Sequence, residues 1–361
     1  MGIPHIVLPR SVVVLLAFLV AVAGAGVAGS TIGPGAGASA GTLSLLAAGT
    51  LTPQFPELAS ELARETPGVS SPSAAQLYTG SLSVVDQIAL LGGAADLAAV
   101  ADFRLVPSVL EPGAAGYEVV FASTPEVLAY DPGLGAFQGV NSSNWGAKLL
   151  AATTGSQGAP LAVWNASIDP NGYNEIFSLE LQGLLYGGNL TSIYGRFYSG
   201  APGGFARPNP STTYVAVESQ AAELLATGSV SALLTYRSYA VSHHLAYVAF
   251  DPIVGLEATS AAALADYAGL STAIVNAAGG LSVVRAAPIL FAATVPIDAP
   301  NASLGVAFLH LLLSSQGSAL LAAGGGFDPI VPAWTDQPSA VPSEIAPELV
   351  PMPAWAEAYL S

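Results

Sequence analysis

Short apolar runs closed by glycine alternate with stretches of helical spacing along most of this chain. TLSLLAAG (42–49) has the pattern of a buried strand. Thr52 is placed to cap a helix with Pro53 at its first position, and Phe55, Leu58, Ala59 and Leu62 recur at helical spacing. Pro67-Gly68 ends that run; SAAQLYTG reads as the approach to a second turn and SLSVVDQIALLGG as a second helix. AADLAAVAD (94–102) is a further apolar strand, followed by the helical FRLVPSVL. Strands alternating with helices predict an α/β fold with a largely parallel sheet.

YEVVFASTPEVLAY (117–130) breaks the rhythm, with two strand-like runs around Ser123-Thr124-Pro125. Such a long extended segment suits a crossing between two lobes, and PILFAATVPIDAP (288–300) has the character of the returning one. Between them lies a second α/β set: LAVWNAS as strand, Tyr173 to Tyr186 and Val217 to Ala226 as helices, and VSALLTY (230–236) as strand. The helices SLGVAFLHLLLSS and QGSALLAAGG follow the return, and the Pro-rich tail, 329–353, is expected to wrap the first lobe. The expected division is lobe 1 from 42–122 and 292–361, and lobe 2 from 123–291.

The N-terminus bears on compartment. Residues 11–29 carry no charge and follow Arg10, the pattern of a secretory signal that is also long enough to span a bilayer. A Gly/Ala/Ser-rich linker, 30–41, comes next. The expectation is a signal peptide or membrane anchor over 1–29, with the bulk of the protein outside the cell.

Composition narrows the partners. Eight basic residues against 24 acidic ones give a formal charge of −16, which argues against nucleic acid. Charged residues total only 9%. Few bases would limit positive self-repulsion in acid, where carboxylates protonate; a genomic bias towards Ala and Gly explains the same figure. The absence of cysteine removes disulfides and thiolate sites. No G-x-x-x-x-G-K-[ST] motif occurs, so any ATP hydrolysis belongs to a partner.

Ligands of open α/β sheets sit at strand carboxyl ends beside helix N-termini, which favours a small anion. Three junctions offer suitable donors: Gly49-Thr50, Thr79-Gly80-Ser81 and Ala101-Asp102-Phe103. Other residues read more plainly. His243 and His244 are adjacent and would diverge on a helix, Glu57, Glu61 and Glu65 form a solvated row, and Asp102 reads as a cap or hinge. No acid–base pair or activated nucleophile is evident, so an enzyme, such as an exported hydrolase, is the weaker reading.

Over about 43–332 the chain resembles the archaeal molybdate/tungstate-binding proteins of ABC importers, the ModA/WtpA type. The resemblance is carried, in order, by LSLLAAGTLTPQF, YTGSLSVVDQI, ADLAAVADFRLVP, VVFASTPEVLAY, NSSNW, DPNGY, YRSYAVSHHL, APILFAATVPIDAPN and FLHLLLSSQGSALL. It implies a type II periplasmic-binding-protein fold, two α/β lobes joined by two crossings, working as a monomer with permease and ATPase subunits. It also implies an oxoanion, molybdate or tungstate, as bound ligand, with no cofactor. The family's cradle maps to Gly49, Thr50, Gly80 and Ser81, with Thr50 where the family has Ser. Asp169 of DPNGY matches a carboxylate that approaches the metal centre of the oxoanion. A helix N-cap before Pro170 is the alternative role for it. The family's second carboxylate, a Glu before the Tyr of the YRS motif, is here Thr235, followed by Tyr236. Thr235 offers only a hydroxyl, which weakens expanded coordination and leaves sulfate or phosphate as alternative ligands.

Overall fold

The computed structural model describes residues 41–360 apart from 92–93, 155–159, 187–189, 202, 211 and 216–217. The apolar segment 1–29, and the linker except its last residue, lie outside the described residues.

The chain opens with β1 (Leu45–Ala48), α1 (Phe55–Glu65), β2 (Gln76–Thr79), α2 (Ser81–Leu91), β3 (Leu97–Val100) and β4 (Val119–Ser123). A second group follows: β5 (Glu126–Tyr130), α3 (Trp145–Thr154), β6 (Leu161–Trp164), α4 (Pro170–Tyr186), β7 (Thr212–Val215), α5 (Glu218–Ala226), β8 (Ala232–Tyr236), α6 (Arg237–Ser242) and β9 (Tyr247–Ala249). A hairpin, β10 (Ser271–Val275) and β11 (Leu281–Arg285), precedes β12 (Leu290–Thr294), α7 (Ala302–Leu313), β13 (Asp328–Thr335) and β14 (Leu349–Pro351).

Two sheets result. The first has seven strands in the order β14-β13-β4-β12-β3-β1-β2, and the second has five in the order β7-β6-β8-β5-β9. β1 lies parallel between β2 and β3. β12 runs antiparallel between β3 and β4, and β5 runs antiparallel to β8 and β9. The sheets are therefore mixed, not largely parallel. The cause is the crossings: β4 leads directly into β5 through Thr124-Pro125, and β12 returns beside β4 with Leu290 opposite Ser123. Outgoing and returning chain share one ladder at the hinge.

Covered faces explain the short, uniformly apolar strands. β1, β3 and β12 are buried at every position. Helix α1 buries Phe55, Leu58, Ala59 and Leu62, the stripe its spacing predicts. Phe55 meets the Phe308 ring edge-on at 5.1 Å, and truncating such a residue to Ala costs about 3–5 kcal/mol. The helix starts at Phe55, after a 3-10 turn over Gly49–Leu51 that Thr52 closes by donating its hydroxyl to the Gly49 carbonyl at 2.5 Å.

Three further departures concern strands. QLYT (76–79) is β2, hidden in sequence by its polar ends. The Pro-rich tail adds β13 and β14 to the first sheet: Pro332 falls in the irregular stretch of the β13–β4 ladder between Pro329 and Trp334, and Pro351 lies on the edge strand β14, places where a missing donor is tolerated. The β10–β11 hairpin alternates burial at successive residues, a half-exposed pattern the sequence reading passed over.

Candidate functional site

The cradle forms where β1 and β2 end side by side, with Ala48 opposite Thr79 in the parallel ladder. Chain turns there put Gly49-Thr50 and Gly80-Ser81 at one edge of the first sheet. Thr50 and Ser81 are buried. Ser81 Oγ accepts from the Ala101 amide at 2.8 Å, which ties the second junction to the third.

The start of α4 meets this edge from the other sheet. The Ile168 carbonyl accepts from the Leu82 amide at 3.1 Å. A Cβ at Gly80 would collide with that same carbonyl, so glycine is needed for the close backbone approach. Asp169 follows at once. Its Oδ1 accepts from the Asn171 amide at 2.9 Å, with Pro170 at the first helical position. Asp169 therefore does cap α4, and it does so from a position one residue from the cradle contact. Burial pushes its pKa up to about 6, against the Asn171 amide that favours the charged form.

Thr235 and Tyr236 end β8 and are fully buried. Both point to asparagines of α4. The Asn171 orientation that satisfies its partners has its oxygen accepting from Thr235 Oγ1 and Trp164 Nε1, each at 3.2 Å, and its nitrogen donating to Glu126 Oε1 at 3.0 Å. Asn174 Nδ2 donates to Tyr236 Oη at 3.0 Å. Burial, with Asp169 nearby, holds the Glu126 carboxyl well above the usual range.

Glu218, the first residue of α5, was not singled out in sequence. Thr50 Oγ1 donates to its Oε1 at 2.5 Å, and a Cβ at Gly49 would collide with its Oε2. Burial and the neighbouring Asp169 push this carboxyl well above its ordinary range, against the Thr50 hydrogen bond. In sequence Glu218 looks like any acid in a first helical turn, where the helix dipole alone accounts for it. Its partner lies 168 positions away, which no local spacing discloses.

The third junction carries the compensated charges. Arg104 grips Asp102 with Nε on Oδ1 at 2.8 Å and Nη2 on Oδ2 at 2.6 Å, and Nη1 donates to the Arg285 carbonyl at 2.6 Å. Tyr173 of α4 donates to Asp102 Oδ2 at 2.5 Å, joining the two sheets. Burial opposes the charge, but Arg104 and the Tyr173 hydroxyl outweigh it and hold Asp102 below the carboxylate range. The cap-or-hinge reading of Asp102 matches this geometry. His243 ends α6, its ring 4.2 Å from that of Tyr239. Among the described residues no group of three or more His, Asp or Glu side chains is placed to hold a metal ion.

Two α/β lobes joined by paired crossings, with hydroxyls and helix starts meeting across a cleft, define a solute receptor of the type II periplasmic-binding-protein class. A sequence profile of the family described as bacterial extracellular solute-binding protein matches residues 43–327, and the chain belongs to that family. It is 28% identical over 250 residues to the molybdate/tungstate-binding protein WtpA of Thermococcus kodakarensis, covering 66% of this chain and 68% of that one. The protein of the same name from Pyrococcus abyssi is 27% identical over 283 residues, 75% of this chain and 79% of that one. The crystal structure of the substrate binding protein of the ABC transporter from Agrobacterium tumefaciens superposes with a TM-score of 0.54 at 12% identity, over 89% of this chain and 94% of that one. At that identity the likeness speaks for the fold alone.

Proposed function

We propose that this chain captures molybdate or tungstate outside the cell and delivers it to an ABC permease and its ATPase. The observation that carries the reading is the meeting, across the cleft, of Gly80-Ser81 with the Ile168-Asp169 turn and of Gly49-Thr50 with Glu218. Hydroxyls and backbone amides suit the oxygens of a tetrahedral anion. The names of the archaeal relatives support the choice of anion.

Asp169 supplies what a sulfate site would not want. A carboxylate beside a dianion repels it unless it bonds to something positive, and a molybdenum or tungsten centre accepts an added oxygen where sulfur does not. With a pKa of about 6, Asp169 is largely ionised at neutral pH. Thr235 and Tyr236 act from behind, through Asn171 and Asn174, by fixing the start of α4. Residues 42–122 with 292–361, and 123–291, are the two lobes that close on the anion. The apolar segment 1–29 directs export and is either cleaved or kept as a tether, and the receptor works as a monomer.

Calorimetric titration of the soluble chain at pH 7 with tungstate, molybdate, sulfate and phosphate tests this. Tight binding of the first two is expected. Tight sulfate or phosphate binding with no response to tungstate overturns the choice of anion.

A further inference from the structure

We propose that Glu218 is a further ligand-contacting residue, meeting the captured oxoanion as a hydrogen-bond donor that carries its own proton. The inference rests on the oxoanion reading and adds to it a residue that no motif indicates.

The geometry of the carboxyl group is the starting point. Oε1 accepts from Thr50 Oγ1 at 2.5 Å. Oε2 lies over Gly49, sealed from solvent and without a partner. A buried polar atom left unpaired costs free energy, and native structures seldom leave one without a purpose. In a neutral carboxylic acid the two oxygens differ: the carbonyl oxygen accepts, and the other bears a proton and needs an acceptor. Thr50 fills the first role. An oxygen of the anion held at the same junction fills the second.

The surroundings leave the proton in place. Asp169 faces Glu218 from the start of α4 and disfavours a second negative charge. Behind Asp169, the buried Glu126 of β5 does the same to its own surroundings. Tyr239 of α6 donates its hydroxyl to the Glu218 backbone carbonyl, and that phenol is itself held protonated by burial. His243 packs against Tyr239 with the rings tilted by 38°, and burial with His244 nearby keeps it below its ordinary pKa, towards the neutral form. Among the described residues, no Lys, Arg or His forms an ion pair with Glu218, Asp169 or Glu126. Lacking a cation, the site avoids a further repulsion only by presenting Glu218 as O–H. The two carboxyls thus divide the work, with Asp169 ionised and Glu218 protonated.

The test is calorimetry of the full soluble chain with micromolar tungstate at pH 7 and pH 9, where Asp169 stays ionised, in two buffers of different ionisation enthalpy. Tungstate brings no proton of its own at either pH. Wild type should bind more weakly at pH 9, by at most about tenfold per pH unit, with proton uptake appearing as the Glu218 carboxyl of the ligand-free chain ionises and must regain its proton to bind. Glu218→Gln keeps a donor with no proton to lose, so it should bind at both pH values with the slope and the proton uptake removed. Asp169→Asn, which preserves the cap, should weaken binding but keep the slope. Wild-type binding that is equally tight and free of proton uptake at both pH values overturns the inference and leaves the oxoanion reading standing. Equal loss of affinity in Glu218→Gln at both pH values overturns it too, since the carboxylate would then be the contacting form. No heat with any oxoanion defeats the oxoanion reading and this inference together.

Discussion

Two junctions join the same pair of sheets, and they handle charge in opposite ways. At Asp102 the buried carboxylate is gripped by Arg104 and capped by Tyr173, and its pKa falls. Near Gly49-Thr50 the carboxyls of Glu218 and Asp169 have no ion pair with a cation among the described residues, and their pKa values rise. A charge neutralised inside the protein is a tie. Polar groups left for something outside to complete mark a candidate site. The contrast separates the third junction from the first two, although all three looked alike as strand-to-helix turns.

Breaking the tie should have the largest effect. Arg104→Ala strands a buried Asp102, and chemical denaturation should show a loss of about 3–5 kcal/mol. Wild-type stability after this change would make the junction a surface pair of no consequence. Asp169→Ala should then weaken tungstate by about 10- to 100-fold in calorimetry, as expected for about 1.5–3 kcal/mol of charge-assisted bonding, and sulfate by less. Equal losses for both anions would leave Asp169 as a cap alone. Tyr173→Phe removes one hydroxyl from the tie and should cost about 1.5–3 kcal/mol if the bond to charged Asp102 counts in full, and less if Arg104 compensates. Urea titration reads the difference.

The smallest and most diagnostic change concerns pH. Away from the cleft, Glu111 is pushed up to about 7 by burial and by Asp336 beside it. Its folded pKa exceeds its unfolded one, so its contribution to stability is complete below the ordinary glutamate range and is lost as pH rises through about 7. Asp102 acts in the reverse sense: its contribution is present above the ordinary aspartate range and is lost as pH falls through its lowered pKa. Buried acids of the Glu111 kind outnumber those like Asp102, among them Glu118, Glu126 and Glu175. Tm should therefore be higher near pH 4.5 than near pH 8, and Glu111→Gln should shallow that slope slightly. A Tm that rises with pH would show that compensated charges dominate instead. A higher Tm in acid would also favour the acidic-exterior reading of the composition over a genomic bias.

The apolar runs and the crossings were legible in sequence because burial on both faces and a change of period leave a local mark. The cradle glycines and Asp169 were legible through their motifs. Glu218 was not, because what distinguishes it is a contact across the cleft and not a neighbour in the chain. Thr235 lies at the end of β8 just before the YRS motif, and its hydroxyl donates to Asn171 at the start of α4, a partner that no local spacing discloses. β2, an edge strand with polar ends, and β13, interrupted by prolines, lack the apolar run that marks a central strand.

In the closure proposed above, Gly80 sets how far the jaws travel. The Ile168 carbonyl rests against the bare α-carbon, so that closure ends on a backbone-on-backbone stop with no side chain between. A single methyl group there would act as a doorstop. Gly80→Ala would be a receptor held ajar, still folded, whose radius of gyration in solution scattering would stay unchanged on adding ligand.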